Sequence, residues 1–136
     1  MQDKTLQWRD QWSIDISSVD QEHKLLINIF NDLVAAVEGV LDQQTARDCF
    51  QDFADHSKEH FSHEELIMRN IGFGKYREHK SEHDIALERA GDIQDVLNGD
   101  FSVETARQLC DELRTWLMDH ITNFDTSIRD HIQYGR

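Results

Sequence analysis

The sequence predicts an all-α protein: an antiparallel, up-down-up-down four-helix bundle with an N-terminal arm. Three observations carry this. The 136 residues contain no proline and only six glycines, and Leu, Ala, Glu, Gln, Asp and Arg are plentiful. That is a helix-forming composition. The glycines fall where helices should stop, at Gly39, Gly72 with Gly74, Gly99 and Gly135, while Gly91 sits inside a helix. Between these stops, apolar residues recur three and four positions apart.

The arm, residues 1–17, carries Trp8, Trp12, Ile14 and Ile16. Two tryptophans are poorly placed in water, so the arm is expected to lie along the bundle. The first helix is expected over about 18–38. It opens at Ser17/Ser18, with Gln21 completing a capping box, and carries Val19, Leu26, Ile27, Phe30, Val34 and Val37 on one stripe. The second, about 43–70 behind Asp42, carries Phe50, Phe53, Ala54, Phe61 and Ile67. The third, about 75–98, carries Ala86, Ala90, Ile93 and Leu97. The fourth, about 103–132 behind Ser102, carries Leu109, Leu113, Trp116, Leu117, Phe124 and Ile128. The connections are short, which favours antiparallel neighbours. The whole chain, 1–136, reads as one domain, with the bundle over 18–132.

A formal net charge of −13 and a pI near 4.8 argue against nucleic acid and against an anionic membrane surface. No stretch reads as a transmembrane helix or a signal peptide, so the cytoplasm is the expected location. Cys49 and Cys110 read as small apolar residues in a reducing compartment.

The eight histidines are informative by placement. On a helix, positions four apart lie about 40° apart around the axis. His23 falls within the first stripe. His79 and His83 are four apart on the third helix, and His120 lies beside Leu113, Trp116 and Phe124 on the fourth. His60 and Glu64, four apart on the second, straddle the direction of Phe53. One histidine on an apolar face is ordinarily a core residue bonded to a carbonyl or water. Five histidines and a carboxylate aimed into one small core would be costly unless something organises them. A metal does so, and bundles build metal sites from facing helices.

Five imidazoles and a glutamate exceed one tetrahedral zinc site and suit two ions bridged by carboxylates. The HExxH pattern fails because Ile67 follows His63 by four. The Glu-x-x-His pairs of carboxylate-rich di-iron proteins are missing too, since Ser62, Ile67 and Ile85 follow Glu59, Glu64 and Glu82 by three.

The ordered pieces then resemble the hemerythrins, most closely the bacterial single-domain ones. They are Trp12 to His23; His60, Phe61, Glu64, Glu65 and Met68; His79 and His83; and Trp116, Leu117, His120, Ile121 and Asp125. The resemblance spans nearly the whole chain. It implies two iron ions (Fe2+/Fe3+) with an oxo or hydroxo bridge, binding O2 reversibly. It implies that His79, His83 and His120 hold one iron and His23 and His60 the other, with Glu64 and Asp125 bridging. Asp125 comes from the resemblance alone, because five residues from His120 is about 140° around a regular helix; a local i,i+5 widening or a sideways reach would bring it in. The O2 pocket implied by the family pattern is Leu26, Phe61, Trp116 and Ile121. Charge makes the chemistry plausible: O2 can take two electrons and the bridge proton with no change in net charge of the buried core.

The remaining groups receive plainer readings. His56 and His63 are expected at a helix interface or in solvent, His131 in the last turn, and Glu65 exposed or supporting a ligand. The leading functional expectation is O2 binding as carrier, store or supplier, not an enzyme. The alternatives are an oxygen or redox sensor acting through a separate partner, a di-iron peroxidase or oxidase, or a nitric-oxide-handling enzyme. Iron storage is disfavoured, as no carboxylate-lined entry path is apparent. Expected partners are O2 and an unidentified protein recipient, with the chain a monomer or weak homo-oligomer.

Overall fold

The computed structural model describes residues 4–39 and 42–135, so positions 1–3 of the arm lie outside the described residues. Its helices are α1 (Ser17–Glu38), α2 (Gln43–Asn70), α3 (Tyr76–Asn98) and α4 (Val103–His120). The last continues without a break through a π-helical segment, Ile121–Asp125, into α5 (Thr126–Tyr134). The α4–π–α5 run is the fourth helix of the bundle.

Cross-links between helices fix the antiparallel order. Glu22 near the start of α1 meets His60 and His63 late in α2. Arg47 early in α2 donates to the Leu97 carbonyl at the end of α3. Arg89 pairs with Glu112 between α3 and α4, and Arg107 with Glu38 between α4 and α1. The arm lies along this frame as expected. Trp12 and Ile14 are buried and Trp8 is half-buried. Leu6 exchanges two hydrogen bonds with the Asn31 side chain, and Arg129 donates to the Gln11 and Ser13 carbonyls.

The expected starts of α2 and α4 are observed: Asp42 accepts from Gln44 and Thr45, and Ser102 from Thr105. The start of α1 differs. Ile16 occupies the N-cap position with no side-chain cap, so the Ser18–Gln21 capping box does not form. Asp20, in the first turn, instead turns back to the arm, accepting from the Ile14 N–H and the Ser13 hydroxyl. Ser102→Ala should cost about 1 kcal/mol of stability, read as a lowered thermal midpoint, because the Thr105 N–H loses its partner.

The core has two apolar parts along the bundle axis. The larger holds Phe30, Phe50, Phe53, Ile93 and Leu117; the smaller holds Ile14, Val19, Met68, Phe73 and Ile128. Met68, not the half-buried Ile67, supplies the α2 residue there. Between the two parts lies a block of buried polar side chains. Among the described residues, no helix is long and apolar enough to cross a membrane.

Candidate metal centre

The buried polar block consists of His23, His60, Glu64, His79, His83, His120 and Asp125, each no more than 3% exposed. These are the seven residues singled out in the sequence, and every main bundle helix contributes. Their donor atoms form two overlapping groups. Glu64, His79, His83, His120 and Asp125 make one; His23, His60, Glu64 and Asp125 make the other.

The carboxylates divide their oxygens between the groups. Glu64 Oε1 lies 3.1 Å from His83 Nε2 and 3.5 Å from His79 Nε2. Glu64 Oε2 lies 3.2 Å from His60 Nε2 and 3.3 Å from His23 Nε2. Asp125 Oδ1 lies 2.9 Å from His79 Nε2 and 3.1 Å from His120 Nε2, while Oδ2 lies 2.9 Å from His23 Nε2. The π segment explains the reach of Asp125. Thr126 N–H bonds to the Ile121 carbonyl, five residues back, so the helix absorbs one extra residue and Asp125 turns inward.

These donors fit cations. His23 Nε2 and Asp125 Oδ2 are 2.9 Å apart, yet neither has a hydrogen-bond partner of acceptable geometry; nor do His60 Nε2 and both Glu64 oxygens. Atoms this close and this buried, not aimed at one another, are aimed at a shared point. An octahedral ion with bonds of about 2.1 Å sets neighbouring donors about 3.0 Å apart, and the separations here run from 2.9 to 3.5 Å.

Protonation tells the same story. Burial alone would lower the His23 and His60 pKa values. For His23 the Asp125 charge and contacts to Asp125 and Glu64 outweigh burial and raise it to about 9. For His60 the Glu64 charge and contacts to Glu22 and Glu64 raise it to about 10. His79, also opposed by burial, reaches about 9 through Asp125 and Glu64. Burial would raise both carboxyls, but the neighbouring imidazoles hold Glu64 and Asp125 far below the usual range. Without metal, protons on imidazoles balance the two carboxylates; a cation in the same place would displace them.

Two outer partners complete the site. Glu22 accepts from His60 Nδ1 at 2.7 Å and from His63 Nδ1 at 2.9 Å. Glu65 accepts from His83 Nδ1 at 2.9 Å. His63 thus lies at the α1–α2 interface, and Glu65 supports a core histidine. Glu22 was missed in the sequence. It lies about 100° from His23 around α1, and only the packing of α1 on α2 brings it to His60. His131 donates to the Ile71 carbonyl, and His56 is half-buried. The cysteines are free, and burial pushes the Cys110 thiol up to about 12.

The four expected pocket residues separate into pairs. Leu26 and Ile121 are buried within the larger apolar core. Phe61, also buried, stacks on His83 with ring centroids 4.0 Å apart, and half-buried Trp116 stacks on His120 at 4.8 Å. Behind these two rings, between α2, α3 and α4, lies an apolar cavity of about 110 Å3 that Leu26 and Ile121 do not line. Phe53, Ala54, Ala90 and Leu113 contribute to its wall, with the Arg89–Glu112 ion pair at its edge.

Fold and site together define a class: a four-helix bundle protein with a buried, histidine-rich core whose two overlapping donor groups, sharing Glu64 and Asp125, could each hold a metal ion. The model of the hemerythrin HHE cation-binding domain matches residues 15–128. The chain belongs to the hemerythrin family. Proteins of that family are mainly di-iron and O2-binding. The chain is 26% identical to a bacteriohemerythrin of Stenotrophomonas maltophilia (strain R551-3) over 132 residues, covering 94% of this chain and 82% of the relative. It is 26% identical to a bacteriohemerythrin of Clostridium acetobutylicum over 127 residues, covering 90% and 98%. The crystal structure of a wild-type hemerythrin superposes with a TM-score of 0.78 at 23% identity, covering 92% of this chain and 95% of that one, which supports the fold.

Proposed function

We propose that the chain is a single-domain, cytoplasmic O2-binding protein that carries, stores or supplies O2, and is not an enzyme. In this reading His79, His83 and His120 would hold one iron, His23 and His60 would hold the other, and Glu64 and Asp125 would be shared between them. The observation that carries it is the three-to-two division of histidines about two carboxylates that each offer one oxygen to either side. The His79 side has five protein donors and the His23 side four, so an external ligand has room on the His23–His60 side.

An iron pair held there would supply the electrons and the coordination position for reversible O2 binding. The protein supplies the enclosure. Phe61 and Trp116 wall the His83 and His120 rings, and Leu26 and Ile121 are buried in the larger apolar core. An apolar wall excludes water and slows proton-assisted loss of reduced oxygen. Five neutral imidazoles with two carboxylates give less negative charge for stabilising high-valent iron than a carboxylate-rich site. That favours binding over oxidation chemistry.

The test is to load Fe(II) without air, admit O2 and remove it again while recording the visible spectrum. A charge-transfer band that appears with O2 and fades on its removal is the expected result. Immediate irreversible oxidation would rule out a carrier, and turnover of peroxide or nitric oxide would favour an enzyme.

A further inference from the structure

Among the described residues, two of the five core histidines have an outer ring nitrogen that meets a carboxylate, and they fall one to each side of the centre. His60 Nδ1 donates to Glu22, and His83 Nδ1 donates to Glu65. The Nδ1 atoms of His23, His79 and His120 are buried and meet no hydrogen-bond partner among the described residues. A ligating imidazole that donates its outer N–H to a carboxylate is fixed in tautomer and orientation and becomes the stronger donor.

The two carboxylates are held differently. Glu65 is 17% exposed, and Lys80 approaches it only to 4.0 Å. Glu22 is 34% exposed, yet both of its oxygens lie within 3.0 Å of His63 Nδ1. One of those oxygens is 2.7 Å from His60. His63 therefore pins from the surface the carboxylate that orients His60 in the core. The bland reading is a half-exposed pair joining α1 to α2, worth little to the fold. It leaves unexplained why the carboxylate that His63 holds also accepts from the ring nitrogen of the buried His60.

We propose that Glu22, held by His63, is a positioning residue for His60 that strengthens metal binding selectively at the His23–His60 position. This deepens the two-ion reading above and rests on it. At that position one imidazole of two is carboxylate-backed, against one of three at the other. The bias thus favours the position with fewer protein donors, where O2 would have room.

The test uses Co(II) as the probe. The metal-free 136-residue chain is titrated anaerobically in competition with a chelator, as wild type, Glu22→Gln, His63→Ala and Glu65→Gln. Two uptake steps are expected in the wild type. Glu22→Gln should weaken one step about tenfold and spare the other. His63→Ala should weaken the same step by less, and Glu65→Gln should weaken the other step. In the Co(II)-loaded protein, Glu22→Gln should also move one shifted imidazole N–H resonance and leave that of His83 in place. A merely structural pair would change neither selectively. Equal weakening of both steps by Glu22→Gln, or no weakening, overturns the proposal. A His63→Ala variant identical to wild type overturns the clamping role. A wild type that binds fewer than two ions overturns the two-ion reading, and this proposal with it.

Discussion

Replacing Glu64 with alanine should leave a helical bundle that retains neither ion. The reason is the division of its oxygens: Oε1 faces His79 and His83, and Oε2 faces His23 and His60. One substitution therefore removes a donor from both positions. It also removes half of the negative charge that makes the buried place attractive to cations, leaving Asp125 alone among five imidazoles. Loss of at least 100-fold in affinity is expected at each position, beyond the 10–100-fold usual for an outer partner. His120→Ala strikes the His79–His83 side directly and should spare much of the other. Glu59→Ala, exposed on the same helix, should change nothing. The measurement is metal content per chain after loading and gel filtration. Two ions retained by Glu64→Ala would sink the bridging role.

The bundle was legible because its information is local. Stripes of period 3.6, stops at Gly39 and Gly99, and caps at Asp42 and Ser102 each involve residues within a turn or two. The start of α1 was misread where a tertiary demand won. Asp15, with φ 61°, bends the chain, and Asp20 holds the arm just before that bend. Six of the seven clustered residues lay on predicted inward faces, again a local property. Asp125 did not, because the wheel assumes a regular helix, and a single residue absorbed at Ile121–Asp125 shifts everything after His120. Only the resemblance placed it. The outer partners were the least legible. Glu22 and Glu65 act on histidines of other helices, and no periodicity within one helix records how two helices are set against each other.

Stripped of metal, the protein should be most stable between the ordinary ionisation values of its carboxylates, 3.8 and 4.5, and of its imidazoles, 6.5. The sign follows from linkage. Glu64 and Asp125 are depressed in the fold, so their stabilisation is present above their ordinary values and is lost as pH falls through the depressed ones. His23, His60 and His79 are raised, so theirs is complete below 6.5 and is lost as pH rises through about 9 and about 10. Both contributions are whole only in the window between. Thermal midpoints of the metal-free chain should therefore hold through that window and decline from pH 7 toward 10. The loaded protein should not share that decline, because metal-bound imidazoles have no proton to lose above their ordinary value of 6.5. Metals bind neutral imidazole, so each raised histidine must give up a proton on loading, and apparent affinity grows as pH rises. The gap between loaded and metal-free midpoints should widen from pH 6 to 9, and loading in weak buffer should release protons. A metal-free midpoint that climbs from pH 6.5 to 9 would show that the histidines are neutral in the empty core, and that carboxylates and imidazoles there do not balance each other's charge.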